Sequence, residues 1–235
     1  THDGLRWVKV DGKLVYGSED ARDTAGAEST GSGAIPYPEL EGLIMEELVR
    51  MVEELDDDKL LYLEDGVDVN MRAAEHGLSY PSGMGLGIGL TELSSDGVSD
   101  GSLAAETARY VAAAADSRMS GGMIPIKGCG GSGNHGITFF LTVGLAYGRY
   151  KSEAVRTLAK TIAMGLMLVR YIKAYTGLLT PTCGVTVSAA PAAAAAIVYA
   201  LGGSPEAMTA AVKLIYGNIA GILCDGAKHG CALKA

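Results

Sequence analysis

The 235 residues carry 19 Lys and Arg against 27 Asp and Glu, a net charge of −8, and no stretch concentrates the basic residues. That balance excludes nucleic acid and anionic membrane as expected partners. The hydrophobic share is 48% but the aromatic share only 6%, with 33 glycines, so a chain of this length builds a sizeable core from small side chains, as closely packed helices do.

Four cysteines are too few for a secreted disulfide scaffold, and their spacing lacks the paired knuckles of a zinc ribbon. A reducing cytoplasm fits this usage. The opening Thr1-His2-Asp3-Gly4 has neither the basic region nor the apolar stretch of a signal peptide. The absence of an initiator Met, and an end placed just after a motif, read as a piece of a longer protein.

Along the chain, Trp7-Val8-Lys9-Val10 and Lys13-Leu14-Val15-Tyr16 alternate around Asp11-Gly12 and predict a β-hairpin over 7–16. Residues 17–35 are polar and read as a loop. Pro38 opens a helix with Leu40, Leu43, Ile44 and Leu48 on one face, and a second helix covers about 59–76. Glu53, Glu54 and Asp56 to Asp58 read as a solvated helix end in preference to a cation site, and His76 as a surface residue near a helix end. Gly83, Gly85, Gly87 and Gly89 alternate, but Leu90 stands where a dinucleotide fingerprint needs Gly or Ala, so close backbone packing accounts for them better.

From Ser102 onward helices are expected over about 103–118, 136–149, 152–176, 184–201 and 205–223. Ser204-Pro205-Glu206 combines a capping hydroxyl, a first-turn proline and an acid at the positive helix end. Charges at Arg156, Lys160, Arg170 and Lys173, and Pro191 within an alanine run, keep 153–176 and 184–201 from reading as membrane spans. The fold expected is mainly α: a small α+β segment over 1–101, with helices about 38–76, and an all-helical domain over 102–235.

Two constellations carry chemistry. Cys224 and Cys231 lie seven positions apart at a predicted helix end, with Cys183 41 positions earlier. If the helices on either side of Ser204 pack antiparallel, the three thiols reach the same end of the pair. Thiolates select zinc or iron–sulfur clusters, yet spacing alone favours inert core cysteines over a metal site. The second constellation is Lys127-Gly128-Cys129-Gly130-Gly131-Ser132-Gly133-Asn134-His135-Gly136. A glycine-rich loop running into a helix offers free N–H groups to an anion such as a carboxylate. It is not a P-loop, because Asn134-His135 stand where Lys and Ser or Thr are required. A tight turn built of glycine for backbone reasons explains the composition equally well.

Taken together, Gly131-Ser132-Gly133-Asn134-His135-Gly136-Ile137, the stretch around Cys183, and Cys224-Asp225-Gly226-Ala227-Lys228-His229-Gly230-Cys231-Ala232-Leu233-Lys234 resemble the L-cysteine desulfidase family, whose relatives include the alpha domain of iron–sulfur L-serine dehydratases. The resemblance implies β-elimination from L-cysteine to sulfide, pyruvate and ammonia, with L-serine as the alternative substrate. It implies a [4Fe–4S] cluster on Cys183, Cys224 and Cys231 with one iron open. Ser132, Gly133, Asn134 and His2 are the implied substrate contacts, and His135 and Lys234 the implied catalytic residues. The partner is then a small-molecule amino acid, with a second copy or the missing part of the protein completing the site. Cys129 has no counterpart in the family and reads as a packed residue, a substrate-facing thiol or a fourth ligand. His229 either donates to a cluster sulfur or lies in solvent. Two readings from other classes stay open: a non-catalytic cluster- or zinc-binding module, and a metal-free thiol enzyme.

Overall fold

The computed structural model describes residues 7–10, 13–17, 37–97, 100–178, 180–219, 226 and 228–234. By contact the chain divides into two units, Thr1–Ile35 and Pro36–Ala235. The first contains two short strands, β1 (Trp7–Val10) and β2 (Lys13–Gly17), paired antiparallel with an irregularity between Val8 and Lys9. Asp11 and Gly12, where the turn is expected, lie outside the described residues.

The second unit is helical, and the chain is mainly α. Its helices are α1 (Met45–Glu53), α2 (Asp57–Leu60), α3 (Asp65–Ser79), α4 (Leu86–Ser95), α5 (Leu103–Met119), α6 (Gly133–Arg149), α7 (Leu158–Thr176), α8 (Ala190–Ala200), α9 (Pro205–Ile219) and α10 (Cys231–Lys234). The boundary expected near residue 101 falls inside this unit, because α3 and α4 both pack on α5. The contact is made by glycine. A Cβ on Gly77 of α3 would run into the Ala113 carbonyl, and one on Gly87 of α4 would lie 2.5 Å from the Ala113 Cβ. Small residues on both sides let the backbones approach, which explains how four consecutive alanines, Ala112 to Ala115, come to be buried.

Of the four alternating glycines, only Gly87 makes this close helix contact. Gly83 and Gly85 have φ of 62° and 68°, a backbone that glycine adopts without strain, while nothing lies within 4 Å of a Cβ on Gly89. The bend they form is held by Asp116, a buried carboxylate on α5 that accepts the Met84 and Leu86 N–H groups at 2.9 and 2.8 Å. It thereby caps the N-terminus of α4. His76 is likewise no free surface residue: its Nδ1 lies 2.8 Å from the Oγ of buried Ser117.

Helix α6 sits at the centre. Residues 134–141 are buried without interruption, the pattern of a helix enclosed on all sides. Phe139, Phe140 and Val143 join a core with α1, α7, α8 and Met208 of α9, while Ile137 and Leu141 join a second core with α3 and α5.

Helix α7 begins at Leu158, not near 152, because Thr157 Oγ1 accepts the Lys160 N–H at 3.3 Å and starts the helix there. The preceding residues serve a polar seam. Arg156 Nε donates to Glu53 at 2.7 Å, Lys160 Nζ pairs with Glu53 and Asp57 at 3.4 and 3.3 Å, and Asp56 caps α2. The acidic cluster thus ties α1 and α2 to α7 and is not merely a solvated end. Burial acts to raise the Glu53 pKa, but Arg156 and Lys160 leave it below the usual carboxylate value.

Ser204 caps α9 as its sequence predicts, accepting the Ala207 N–H at 3.3 Å. The alanine-rich helix opens with a π-helical turn, Val185–Ala189, before α8. Pro191 has no N–H for the carbonyl four residues back, and that carbonyl, of Val187, accepts the Tyr216 hydroxyl at 2.8 Å. Since Tyr216 stands near the end of α9 and Val187 just before α8, the two helices run antiparallel.

Candidate active site

The site is built on the N-terminus of α6. Cys129 and Ser132 exchange both backbone hydrogen bonds, at 3.1 and 3.0 Å, around Gly130 and Gly131 with φ of 53° and 80°. Two successive positive φ values define the tight turn for which Gly-Gly is suited. The segment entering it is clamped by Asn70, a fully buried side chain on α3: Nδ2 donates to the Lys127 carbonyl and Oδ1 accepts the Lys127 N–H, both at 3.0 Å. On the other side, α6 lies so close that a Cβ on Gly136 would run into the same Lys127 carbonyl. Turn and helix start therefore hold one fixed relation.

Asn134 and His135 are both buried in the first turn of α6. Asn134 Oδ1 accepts Arg118 Nη1 at 3.1 Å. Arg118 comes from the end of α5 and is half-buried; burial draws its pKa down, and the nearby Cys231 acts in the opposite direction. His135 packs against Gly184, where a Cβ would meet Nε2, so its ring lies beside the backbone that follows Cys183. Its Nδ1 has no hydrogen-bond partner among the described residues. Burial, then the positive charges of Lys173 and Arg118, push its pKa down to about 3. The imidazole is accordingly neutral at physiological pH and a weak base, suited to hydrogen bonding.

Cys183 is a buried free thiol whose carbonyl accepts the Thr186 hydroxyl at 2.7 Å and the N–H groups of Thr186 and Val187 at 3.0 Å. Cys231, also free and half-exposed, opens α10, which packs on α5 and brings it near Arg118. The backbone that follows Cys183 and the Cys231 thiol thus approach the start of α6 through His135 and Arg118. Among the described residues no group of three or more His, Cys, Asp or Glu is arranged to hold a metal ion. Cys224 and His2 lie outside the described residues, as does the side chain of Lys234; His229 is exposed.

Two groups missed at the level of sequence complete the surroundings. Lys173, on α7 and 2% exposed, donates to the Leu178 carbonyl at 2.7 Å. Its stem runs under the turn, where a Cβ on Gly130 would lie 2.6 Å from Cε. Burial lowers its pKa. Beside it Cys129 is buried, and burial lifts its thiol to about 12 against the pull of Lys173, so it stays protonated and inert. A cavity of about 610 Å³ opens over the turn, with Arg118 and Arg170 among its walls. Only the basic character of Arg118 and Lys173 is visible in sequence, and nothing local links either to residues 128–135. Among the described residues no helix is long and apolar enough to cross a membrane.

Comparison with known proteins bears on this arrangement. Relatives include a UPF0597 protein of Desulforapulum autotrophicum, 38% identical over 195 residues, covering 83% of this chain and 44% of the relative. Another, from Clostridioides difficile, is 31% identical over 233 residues, or 99% of this chain and 53% of that one. A third, from Nitratidesulfovibrio vulgaris, is 34% identical and is covered to 55%. The chain spans about half the length of these curated relatives. No solved structure matches it significantly. The family model described as serine dehydratase alpha chain matches residues 24–235, a span that takes in the turn, the helix start and all four cysteines, and to that family the chain belongs.

Proposed function

We propose that the chain supplies the cluster-binding and substrate-orienting half of a [4Fe–4S]-dependent lyase that eliminates sulfide from L-cysteine, yielding pyruvate and ammonia. The observation that supports it most is the gathering of Cys183, Cys231, His135, Asn134 and Arg118 around one buried helix start, in a chain of the serine dehydratase alpha chain family. The residues present fit such a group: two free cysteines lie on segments that reach the site, and the Arg118 guanidinium beside Cys231 offsets thiolate charge. Cys183, Cys224 and Cys231 would hold the cluster, which when bound would supply an open iron acting as a Lewis acid toward the leaving group.

The chain's own residues do the rest. Ser132, Asn134 and the free N–H groups of the first turn of α6, from Gly133 on, orient the substrate carboxylate, which fixes the Cα–H bond relative to its base. His135, neutral and with Nδ1 unengaged among the described residues, accepts a hydrogen bond from the substrate ammonium. Lys234 is assigned to proton handling and His2 to substrate contact. The elimination removes the Cα proton and sulfide; the resulting enamine tautomerises to an imine, which water converts to pyruvate and ammonia.

L-Serine is the second reading, favoured by the description of the matching family. Hydroxide is the poorer leaving group and requires more proton assistance. Anaerobic reconstitution followed by iron and sulfide analysis, and by sulfide release from cysteine against pyruvate release from serine, separates the readings. Protein that takes up no iron under those conditions rules out both.

A further inference from the structure

We propose that the cavity over the glycine turn is a binding site for a small carboxylate, with the Arg118 guanidinium as its principal clamp. The proposal depends on the reading above only for the kind of acid, an amino acid or its 2-keto product.

Charge is the first argument. Among the described residues the cavity walls include Arg118 and Arg170 and no acidic residue, and the ammonium-bearing stem of Lys173 runs directly under Gly130. Three cations around one turn, in a chain of net charge −8, make a local field opposite in sign to the molecule's own.

The second argument is the state of Arg118. A guanidinium carries five N–H donors, and among the described residues Arg118 meets only the Asn134 amide oxygen at 3.1 Å and the Met119 sulfur at 3.7 Å. No carboxylate pairs with it among those residues. Half-burial of an unpaired cation is unfavourable, and a planar fork is shaped for a carboxylate arriving from the cavity. Gly133 keeps the approach open, since a Cβ there would run into Arg118 Nε. Asn134 then acts as a positioning residue that sets the plane of the fork. Arg170, exposed at the rim above the Tyr37 ring at 5.6 Å, attracts the anion from a distance.

The cavity, at about 610 Å³, has the size of pockets that take small molecules. The backbone turn offers no side chain to fill it.

Calorimetric titration of pyruvate into the full chain, with no metal present, tests the site. The wild-type chain should bind pyruvate and bind its neutral amide, pyruvamide, far more weakly. Arg118→Gln should lose roughly 10- to 100-fold in affinity, as expected for a charge-assisted pair. Arg118→Lys should fall between, keeping the charge without the fork. Arg170→Gln should lose only a few-fold. As a readout on unmutated protein, pyruvate should protect Arg118 from phenylglyoxal, measured by peptide mass. Equal binding of pyruvate and pyruvamide, unchanged affinity in Arg118→Gln with a wild-type circular dichroism spectrum, or absence of protection each overturns the proposal. Because the titration contains no iron, failure to bind pyruvate counts against this site, and failure to assemble a cluster counts only against the iron–sulfur reading.

Discussion

Asn70 offers the sharpest test of how the site is held. Its amide closes two 3.0 Å hydrogen bonds on the backbone of Lys127, one residue before the glycine-rich turn, from a position with no solvent exposure. Asn70→Ala leaves the Lys127 N–H and carbonyl without these partners. A buried polar group deprived of its partner costs about 1–3 kcal/mol; Lys127 itself is half-buried, so water recovers part of the loss and the sum is roughly 2–4 kcal/mol. Asn70→Asp separates the two bonds. The introduced carboxylate still accepts the Lys127 N–H but faces the Lys127 carbonyl with no proton to give. Protonation restores the donor, so the folded state raises the pKa of the introduced group and binds the proton more tightly than the unfolded state does. The variant must therefore gain stability as pH falls through that raised pKa. Urea unfolding followed by far-ultraviolet circular dichroism, at pH 7 and pH 4.5, measures both effects. A loss below about 0.5 kcal/mol for Asn70→Ala, within what an ordinary surface substitution produces, would show that the clamp does not hold the turn, as would an Asn70→Asp variant whose penalty is the same at both pH values.

Other consequences follow from the packing. His135 stays neutral in the fold down to about pH 3, whereas the unfolded histidine protonates near its ordinary 6.5. Wild-type stability should fall by about 1.4 kcal/mol per pH unit below 6.5 from this group alone, and His135→Gln should lack that component in urea midpoints taken between pH 6.5 and 4.5. Gly77→Ala and Gly87→Ala push a methyl group into Ala113 and should each cost about 1–3 kcal/mol. Gly89→Ala meets nothing within 4 Å and should raise thermal stability by about 0.5–1 kcal/mol through helix propensity. Tyr216→Phe strips the Val187 carbonyl of its donor and should cost about 1–2 kcal/mol in the same assay.

What the sequence reveals of this fold is what is local. Ser204-Pro205-Glu206 announces the start of α9, and the chain's apolar periodicity locates α5 and α6 to within a few residues. The glycine alternation over 83–89 is visible as a pattern, but its meaning is not. Gly87 meets Ala113, and the Gly83–Gly85 bend is pinned by Asp116, about 30 residues on along the chain. The same holds at the site. Ser132, Asn134 and His135 stand in one short motif and are legible together, whereas Asn70 reaches the Lys127 backbone at the head of that motif across 57 residues. Arg118 and Lys173 arrive from helices whose own patterns mark them only as polar positions. A hydrogen bond between distant segments leaves no periodicity in either one. The beginning of α7 fails for a related reason: residues 150–157 have helical composition, but Arg156 and Thr157 are drawn to Glu53 and Asp57, about 100 residues away.

The enclosure of α6 also governs how the site opens. Its residues belong to both cores at once, so its backbone amides should exchange with solvent only when the whole helical unit comes apart, and not through a local excursion. The peptide groups of α9, which buries only Met208 among its described side chains, should exchange at a far smaller protection factor. A turn mounted on the most protected helix cannot be tuned independently of global stability, and substitutions that loosen either core should weaken ligand binding only in step with the loss of the fold's spectroscopic signature.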